Sequence, residues 1–596
     1  MASGQYPPPI PPRPLPPPVP SRRPVPTPPA IQNDPEVIAL CPGNQPLYAT
    51  AYWYSLPSIP TYEVCSHCFA SHIRSTPWAA QFQKHLRSPD PSRRCRFDTP
   101  RMLQLWSHLA QNHDWPAVTA YMAHRASIPN CTGKTPVAAE AGIKWYSPRG
   151  NELHNFGVCA ACYEDLLLAT PFAAHFGLNP QKQPPGELWN CKMPLFVHRA
   201  IETPGKYATW AALAADIGRY MQIPPCDGPT GIAAGKRGWY RPRRAIEGLV
   251  VCDSCYWEYL ASSLMEREWE AMPVGFQHQW TTWACDMSLL PMKVAYLKAL
   301  MEKDYGIWWN AARAIMASPP CPSASGGVYP GTWYKLPRAE VYVCAQCFAG
   351  IIFPFRFGNH FVQAYAHNGP RTCIFNAATP RREQFLNRFD ESISLRDFSK
   401  FENYVVRLSP LPLCSTSTMV HNRRWYGTND FLACESCWEE FVKDTSLASQ
   451  LSLKGVVVPA ACCDMYSARM RRLWMTACSK NNLAEFTAFA KHRSAVYAQT
   501  VPRMQEILAM AKMRMEQKQT LMMSSIMLQG ASNVVGASQS ADFSHTLYGN
   551  AALGYHATPA GAQGAAQFDQ ALGINPVQGG EMMQVAQLEA MWKQVE

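Results

Sequence analysis

Nowhere between Met1 and Glu596 does the sequence hold a run of about 18 uncharged apolar residues, the length a helix needs to cross a bilayer, so no membrane span is expected. Met1 to Pro20 lacks a charged segment followed by an apolar core, so no secretory leader is expected either. A glycine-rich phosphate loop, a nucleophile elbow and a His/Glu pair at metalloprotease spacing are also missing. The histidines form no pattern: His67, His72, His85, His108, His113 and His124 crowd one stretch, and none recurs at a fixed place later. These absences leave no catalytic constellation, and the chain is expected not to be an enzyme. They also point to an intracellular, reducing setting, nuclear or cytoplasmic with the nucleus favoured. Disulfides are rare there, and clustered cysteines more often bind metal.

What is abundant is proline and cysteine, 53 and 22 in 596 residues, with a net charge of +11. The cysteines recur in register. Each of five segments holds a leading Cys, a Trp-Tyr pair, a Cys-x-x-Cys followed by an aromatic, and a further Cys. The sets are Cys41, Cys65, Cys68, Cys95; Cys131, Cys159, Cys162, Cys191; Cys226, Cys252, Cys255, Cys285; Cys321, Cys344, Cys347, Cys373; and Cys414, Cys434, Cys437, Cys463. Successive leading cysteines are 90, 95, 95 and 93 residues apart. Cys462 and Cys478 stand outside the register, and Cys463 is preferred to Cys462 because Cys463-Asp464-Met465 matches Cys285-Asp286-Met287.

Such periodicity marks a tandem array. The expected fold is α+β: five zinc-stabilised repeats over 36–130, 131–225, 226–320, 321–413 and 414–501. Each holds a short β-hairpin with a zinc knuckle, followed by helices. The leading Cys sits in turn-forming sequence such as Cys41-Pro42-Gly43, and the Trp-Tyr pair and the run into Cys-x-x-Cys read as strands. Thr-Pro pairs signal helix starts at Thr76-Pro77, Thr99-Pro100, Thr170-Pro171, Thr203-Pro204 and Thr379-Pro380. Pro100–Gln111 and Trp115–Arg125 read as a helical hairpin. Outside the array, 1–35 is a proline-rich tail expected to be disordered, and 502–529 a Met-rich helix. Residues 530–580 read as a flexible linker, and 581–596 as an amphipathic helix with Val585, Leu588, Met591 or Trp592, and Val595 on one face.

Zn²⁺ in structural sites takes four tetrahedral ligands and favours thiolates, so about five structural zinc ions are expected. A four-thiolate shell is closed and leaves no position for an activated water. The competing readings are disulfides, reduced core cysteines, and redox chemistry at Cys-x-x-Cys, which would need a βαβ context that the sequence lacks.

Partner-binding candidates are fewer. Around Trp239 and Tyr240 the third repeat is basic, with Arg241, Arg243 and Arg244, a mixture suited to single-stranded nucleic acid or an acidic peptide. The alternative, favoured because Tyr52-Trp53-Tyr54-Ser55 carries no charge, is that one aromatic of each pair packs on the knuckle and the other faces solvent. In the tail, Pro8-x-x-Pro11-x-Arg13 and Pro17-x-x-Pro20-x-Arg22 match what SH3-like domains bind. Trp592 is the expected anchor of the last helix in a groove, on a partner or on the repeats.

Around Trp53-Tyr54-Ser55-Leu56-Pro57, Tyr62-Glu63-Val64-Cys65-Ser66-His67-Cys68 and Asp98-Thr99-Pro100-Arg101-Met102 the chain resembles an uncharacterised group of filamentous-fungal cysteine-rich proteins. The resemblance implies a lineage and no activity. The function expected from the residues is a zinc-binding multivalent scaffold for protein partners, within a larger complex. The alternative is a nucleic-acid-binding or chromatin-associated zinc protein.

Overall fold

In every repeat the Trp-Tyr segment becomes the middle strand of a three-stranded antiparallel sheet. The structure, a computed structural model, describes residues 34–90, 92–150, 152–202, 205–273, 281–322, 329–364, 371–458, 460–541 and 558–596. The chain divides into two units, Met1–Ser409 with the first four repeats and Pro410–Glu596 with the fifth and the C-terminal helices. Arg13, Arg22 and the Thr203-Pro204 signal lie outside the described residues.

The hairpin register is the same five times: Trp53 faces Cys65, Trp145 Cys159, Trp239 Cys252, Trp333 Cys344 and Trp425 Cys434. Successive side chains point to opposite faces of a strand, and the Trp of each pair goes into the core. A third strand, which the sequence did not announce, pairs with the other edge of the Trp-Tyr strand: Gln83–Arg87, Phe176–Leu178, Trp269–Ala271, Val362–Ala364 and Ser452–Val456. After Cys-x-x-Cys the chain makes a π-helical turn in four repeats (Phe69–Ile73, Tyr256–Leu260, Phe348–Ile352, Trp438–Val442) and an α-helix, Ala160–Asp165, in the second.

A helical hairpin follows the fourth cysteine of each repeat. In the first it is Pro100–Asn112 and Trp115–Ala126, with the Thr99 hydroxyl accepting from the Met102 amide at 3.3 Å and Asp114 capping the second helix. The counterparts are Leu195–Glu202 with Trp210–Gln222, Leu290–Glu302 with Tyr305–Met316, Arg382–Leu395 with Phe398–Leu408, and Ala468–Lys480 with Ala484–Ala541. Thr76 and Thr170 open only short 3₁₀ turns. Thr379 caps nothing: its hydroxyl donates to the Cys373 carbonyl at 2.8 Å, and the helix starts at Arg382.

Within Met1–Ser409 each of the first three hairpins packs on the segment that follows Cys-x-x-Cys in the next repeat. Arg125 of the first repeat, 3% exposed, grips Asp165 of the second through two bonds of 2.8 and 2.9 Å, and Tyr121 adds a third of 3.0 Å. Arg199 of the second donates to the carbonyls of Glu258 and Ala261 in the third at 2.9 and 2.8 Å, while Tyr220 donates to the Glu258 carboxylate at 2.6 Å. Between the third and fourth, Gly350 lies so close to Pro291 that a Cβ there would meet the Pro291 carbonyl oxygen at 2.5 Å. The fourth then returns to the first: the Ala39 amide donates to the Ser394 carbonyl at 2.7 Å, and Arg396 donates to the Val37 carbonyl at 3.3 Å. Four repeats thus form a closed circuit of contacts.

In Pro410–Glu596 the second hairpin helix does not stop where the fifth repeat was expected to end. Ala484–Ala541 runs through Pro502 as one helix, so the Met-rich segment is its continuation. The expected linker over 530–580 is corrected in part: the long helix reaches Ala541, and Pro559–Gly573 is a second helix capped by Thr558. Gly564 within it serves close packing. The Ser525 hydroxyl donates to the Gly564 carbonyl at 2.7 Å, and a Cβ on Gly564 would lie 3.1 Å from Leu528. The last helix, Glu581–Lys593, also packs on the long helix. Val595 is buried, and Val585, Leu588 and Trp592 are half-buried, whereas Met591 faces out.

Candidate metal centres

The sheet and hairpin bring four sulfurs together in each repeat. The groups are Cys41, Cys65, Cys68, Cys95; Cys131, Cys159, Cys162, Cys191; Cys226, Cys252, Cys255, Cys285; Cys321, Cys344, Cys347, Cys373; and Cys414, Cys434, Cys437, Cys463, with the Sγ atoms of each within 4.8 Å of one another. In each the leading Cys is half-buried and the other three are buried. All 22 cysteines are free thiols, and Cys462 and Cys478 belong to no group.

Three local devices point amide N–H groups at the sulfurs. The first is a turn at the leading Cys. Gly43, Gly133 and Gly228, all with left-handed φ, donate to Cys41, Cys131 and Cys226 at 3.3, 3.3 and 3.4 Å. Thr416 takes the same left-handed conformation and donates to Cys414 at 3.4 Å. In the fourth repeat the Asn376 side-chain amide supplies the bond instead, 3.3 Å from Cys321. The second device is the Cys-x-x-Cys turn, whose last amide donates to its first sulfur: Cys68 to Cys65, Cys255 to Cys252 and Cys437 to Cys434, at 3.4, 3.4 and 3.5 Å. The third joins strand to hairpin, with the amides of Cys65, Cys159, Cys252 and Cys434 donating to Cys95, Cys191, Cys285 and Cys463 at 3.4 to 3.5 Å. Donors aimed at a sulfur favour its charged form.

The thiols accordingly split. In the third repeat, hydrogen bonds from Cys252, Cys255 and Cys285 hold Cys226 far below the ordinary thiol range, while Cys255 is driven far above it by its bonds to Cys226, Cys252 and Cys285. Cys321 and Cys347 divide in the same way, as do Cys414 and Cys437. Four acids in one pocket cannot all ionise unless a cation joins them.

Around each group lies an aromatic pair whose two halves the sequence displayed but did not connect. The Tyr of Trp-Tyr stacks flat on the aromatic that follows Cys-x-x-Cys. The pairs are Tyr54 on Phe69, Tyr146 on Tyr163, Tyr240 on Tyr256, Tyr334 on Phe348 and Tyr426 on Trp438, with centroids 3.7, 3.9, 3.7, 3.7 and 4.2 Å apart. In the third and fifth repeats the Asp after the fourth Cys adds a further brace. Asp286 accepts from the Val250 amide and Asp464 from the Leu432 amide, both at 2.8 Å.

The partner-binding candidates are placed differently. Trp239 is buried and donates from its indole to the Ala234 carbonyl at 2.9 Å. Arg241 and Arg243 pair with Glu270 at 2.8 and 3.1 Å, and Arg244 pairs with Glu268 at 2.9 Å, Glu270 lying within the unannounced third strand and Glu268 immediately before it. Trp592 sits against its own chain, its ring 5.6 Å from that of Tyr497 and 4.8 Å from the Arg493 guanidinium. Arg493 in turn pairs with Asp464 and Glu596, each at 2.6 Å.

No helix among the described residues is long and apolar enough to cross a membrane. Comparison with protein-family models, with curated proteins and with solved structures finds no match to the chain.

Proposed function

We propose that this chain is a zinc protein, with one structural Zn²⁺ per repeat and about five in all, and that it acts as a multivalent scaffold for protein partners and not as an enzyme. The observation that carries the metal reading is the five-fold group of four sulfurs, each within 4.8 Å of the others and approached by amide donors. Tetrahedral zinc with Zn–S bonds of about 2.3 Å needs sulfurs about 3.8 Å apart, and Cys162 and Cys191 lie 3.7 Å apart. The donor set is all thiolate, which favours zinc over hard cations. When bound, the ion would neutralise the crowded thiolates and tie hairpin to helices. A filled four-thiolate shell leaves no open position, which supports a structural role.

The scaffold reading rests on repetition: tandem modules gain affinity through effective concentration even when each site is weak. We place it in a reducing intracellular compartment, where the thiols stay reduced. The second reading, nucleic-acid binding, draws on the net charge of +11. The pairing of Arg241, Arg243 and Arg244 with Glu268 and Glu270 favours the scaffold.

Elemental analysis of the reduced, folded chain tests the metal: about five zinc equivalents are expected, and one or none would defeat the reading. A salt titration with single-stranded and duplex nucleic acid separates the two functions, since phosphate contacts give a steep fall of log affinity with log salt. Retained partners with no such slope support the scaffold.

A further inference from the structure

The leading cysteine is the ligand of each centre that solvent reaches: it is half-buried, while its three companions are buried. In the third repeat it stands in an exposed run, with Pro224 and Pro225 before Cys226 and Asp227 after it all open to water. Residues 224–227 belong to no helix or strand, so neither kind of backbone ladder fixes the Cys226 sulfur.

We propose, on the zinc reading above, that Arg237 is a positioning residue of the third centre, a clamp that keeps the Cys226 sulfur within reach of its three companions. Its side chain is 2% exposed, and its five N–H donors all find acceptors. Nη1 and Nη2 donate to the carbonyls of Pro225 and Pro224, each at 3.1 Å, ahead of Cys226. Nη1 also donates to the Asp227 carboxylate at 2.5 Å, just beyond it. Nε and Nη2 donate to one oxygen of Asp253, at 3.0 and 2.5 Å, and Asp253 directly follows Cys252. One guanidinium thus ties both flanks of the leading cysteine to the first cysteine of the Cys-x-x-Cys turn. Asp253 is held in turn by the amides of Gly238 and Ser254, at 3.3 and 2.8 Å.

Arg237 stands two residues before Trp239, where the chain enters the middle strand. In the fifth repeat the residue two before Trp425 is Arg423, and it donates to the carbonyl of Leu413, immediately ahead of Cys414. The first, second and fourth repeats have Ala51, Ile143 and Gly331 at that position, none with a side-chain donor. A planar fork suits the task and an ammonium does not. Five donors in fixed directions reach several carbonyls and carboxylates at once, whereas lysine is a compact point charge with three. Groups that orient metal ligands govern metal affinity by about 10–100-fold.

Alkylation of the full, zinc-loaded chain by limiting iodoacetamide is the test, with the initial rate of each cysteine read from peptide mass spectra. In Arg237→Met the Cys226 rate should rise at least about tenfold. Cys252, Cys255 and Cys285 should keep their wild-type rates, as should Cys131 and Cys321, the leading thiols of the neighbouring repeats. Arg237→Lys should expose Cys226 as fully, because the charge remains and the fork is gone, and this variant answers the question should Met disturb folding. All four sulfurs of the third repeat reacting faster together in both variants would mean a general loosening and would overturn the proposal. So would an unchanged Cys226 rate, or a Lys variant that behaves as the wild type. Zinc content measured beforehand separates this from the metal reading: a filled wild type with an unmoved Cys226 refutes the clamp alone, whereas an empty wild type refutes the zinc reading and the clamp with it.

Discussion

Replacing Arg125 by Met should open the joint between the first and second repeats while leaving every metal site filled. The guanidinium is 3% exposed and makes two bonds to Asp165, whose side chain is 16% exposed, and a third to the Ile128 carbonyl at 2.9 Å. Removing it strands a partly buried carboxylate that keeps only the Tyr121 hydroxyl from this set. Removing one partner of a buried pair costs about 3–5 kcal/mol, and the lower end applies because Asp165 retains that bond and some water. A loss of about 3 kcal/mol corresponds to somewhat more than a hundredfold in a local opening constant. The suitable assay is amide hydrogen exchange over 115–128 and 158–170, because a single unfolding free energy is poorly defined for a chain of several units. Protection there should fall about a hundredfold, and zinc content should not change. Arg125→Met combined with Asp165→Leu should recover most of the protection, since replacing both members of a buried pair is often nearly neutral. A single variant whose exchange rises less than fivefold would refute the reasoning. So would a double variant as open as the single.

Other consequences are quicker to check. Cys252→Ser should lose one zinc equivalent and destabilise the third repeat alone, because neighbouring repeats hold their own cysteines; loss of several equivalents in elemental analysis would contradict independent sites. Cys463→Ala should likewise lose one, whereas Cys462→Ala and Cys478→Ala should keep all five, as neither sulfur belongs to a group. Gly350→Ala should loosen the joint between the third and fourth repeats by about 1–3 kcal/mol, because its Cβ would stand 2.5 Å from the Pro291 carbonyl oxygen, and exchange over 290–302 reports it. Lowering the pH should release zinc cooperatively with thiol protonation, since protons compete for the ligands; a zinc content unchanged down to pH 4 would argue against thiolate ligation. Trp592→Ala should free the last helix from Tyr497 and Arg493, costing roughly 1–2 kcal/mol of protection over 581–596, with zinc content intact.

The metal groups were legible because covalent spacing repeats: twenty cysteines at a steady period need no tertiary knowledge to be sorted into fours. What periodicity cannot convey is which marks touch. Tyr54 and Phe69 are each visible as aromatics beside a motif, yet their stacking at 3.7 Å depends on the hairpin register that sets Trp53 opposite Cys65. The third strand escaped notice because segments such as Gln83-Lys84-His85-Leu86-Arg87 are short and polar, as edge strands often are. Its glutamates, Glu268 beside it and Glu270 within it, are what occupy the arginines of the third repeat. The helix Pro559–Gly573 was hidden by composition, since Gly and Ala suggest a linker when read alone. The signal was nonetheless present, because Thr558-Pro559 is the same opening as Thr99-Pro100. Small residues in that segment reduce the distance between two helices, a use that composition does not distinguish from flexibility.

The closed circuit of the first four repeats bears on how such a chain can change over time. An open row of stacked repeats can lengthen or shorten by one member, because the next unit docks on the exposed end and only the two terminal units are special. Here the fourth repeat returns to the first through Ser394 and Arg396 against Ala39 and Val37. Duplicating or deleting one unit of about ninety residues would reopen that seam and strand surfaces now covered, so the number four is held by geometry. The fifth repeat belongs to the other unit, and it is the one whose second hairpin helix runs on from Ala484 to Ala541.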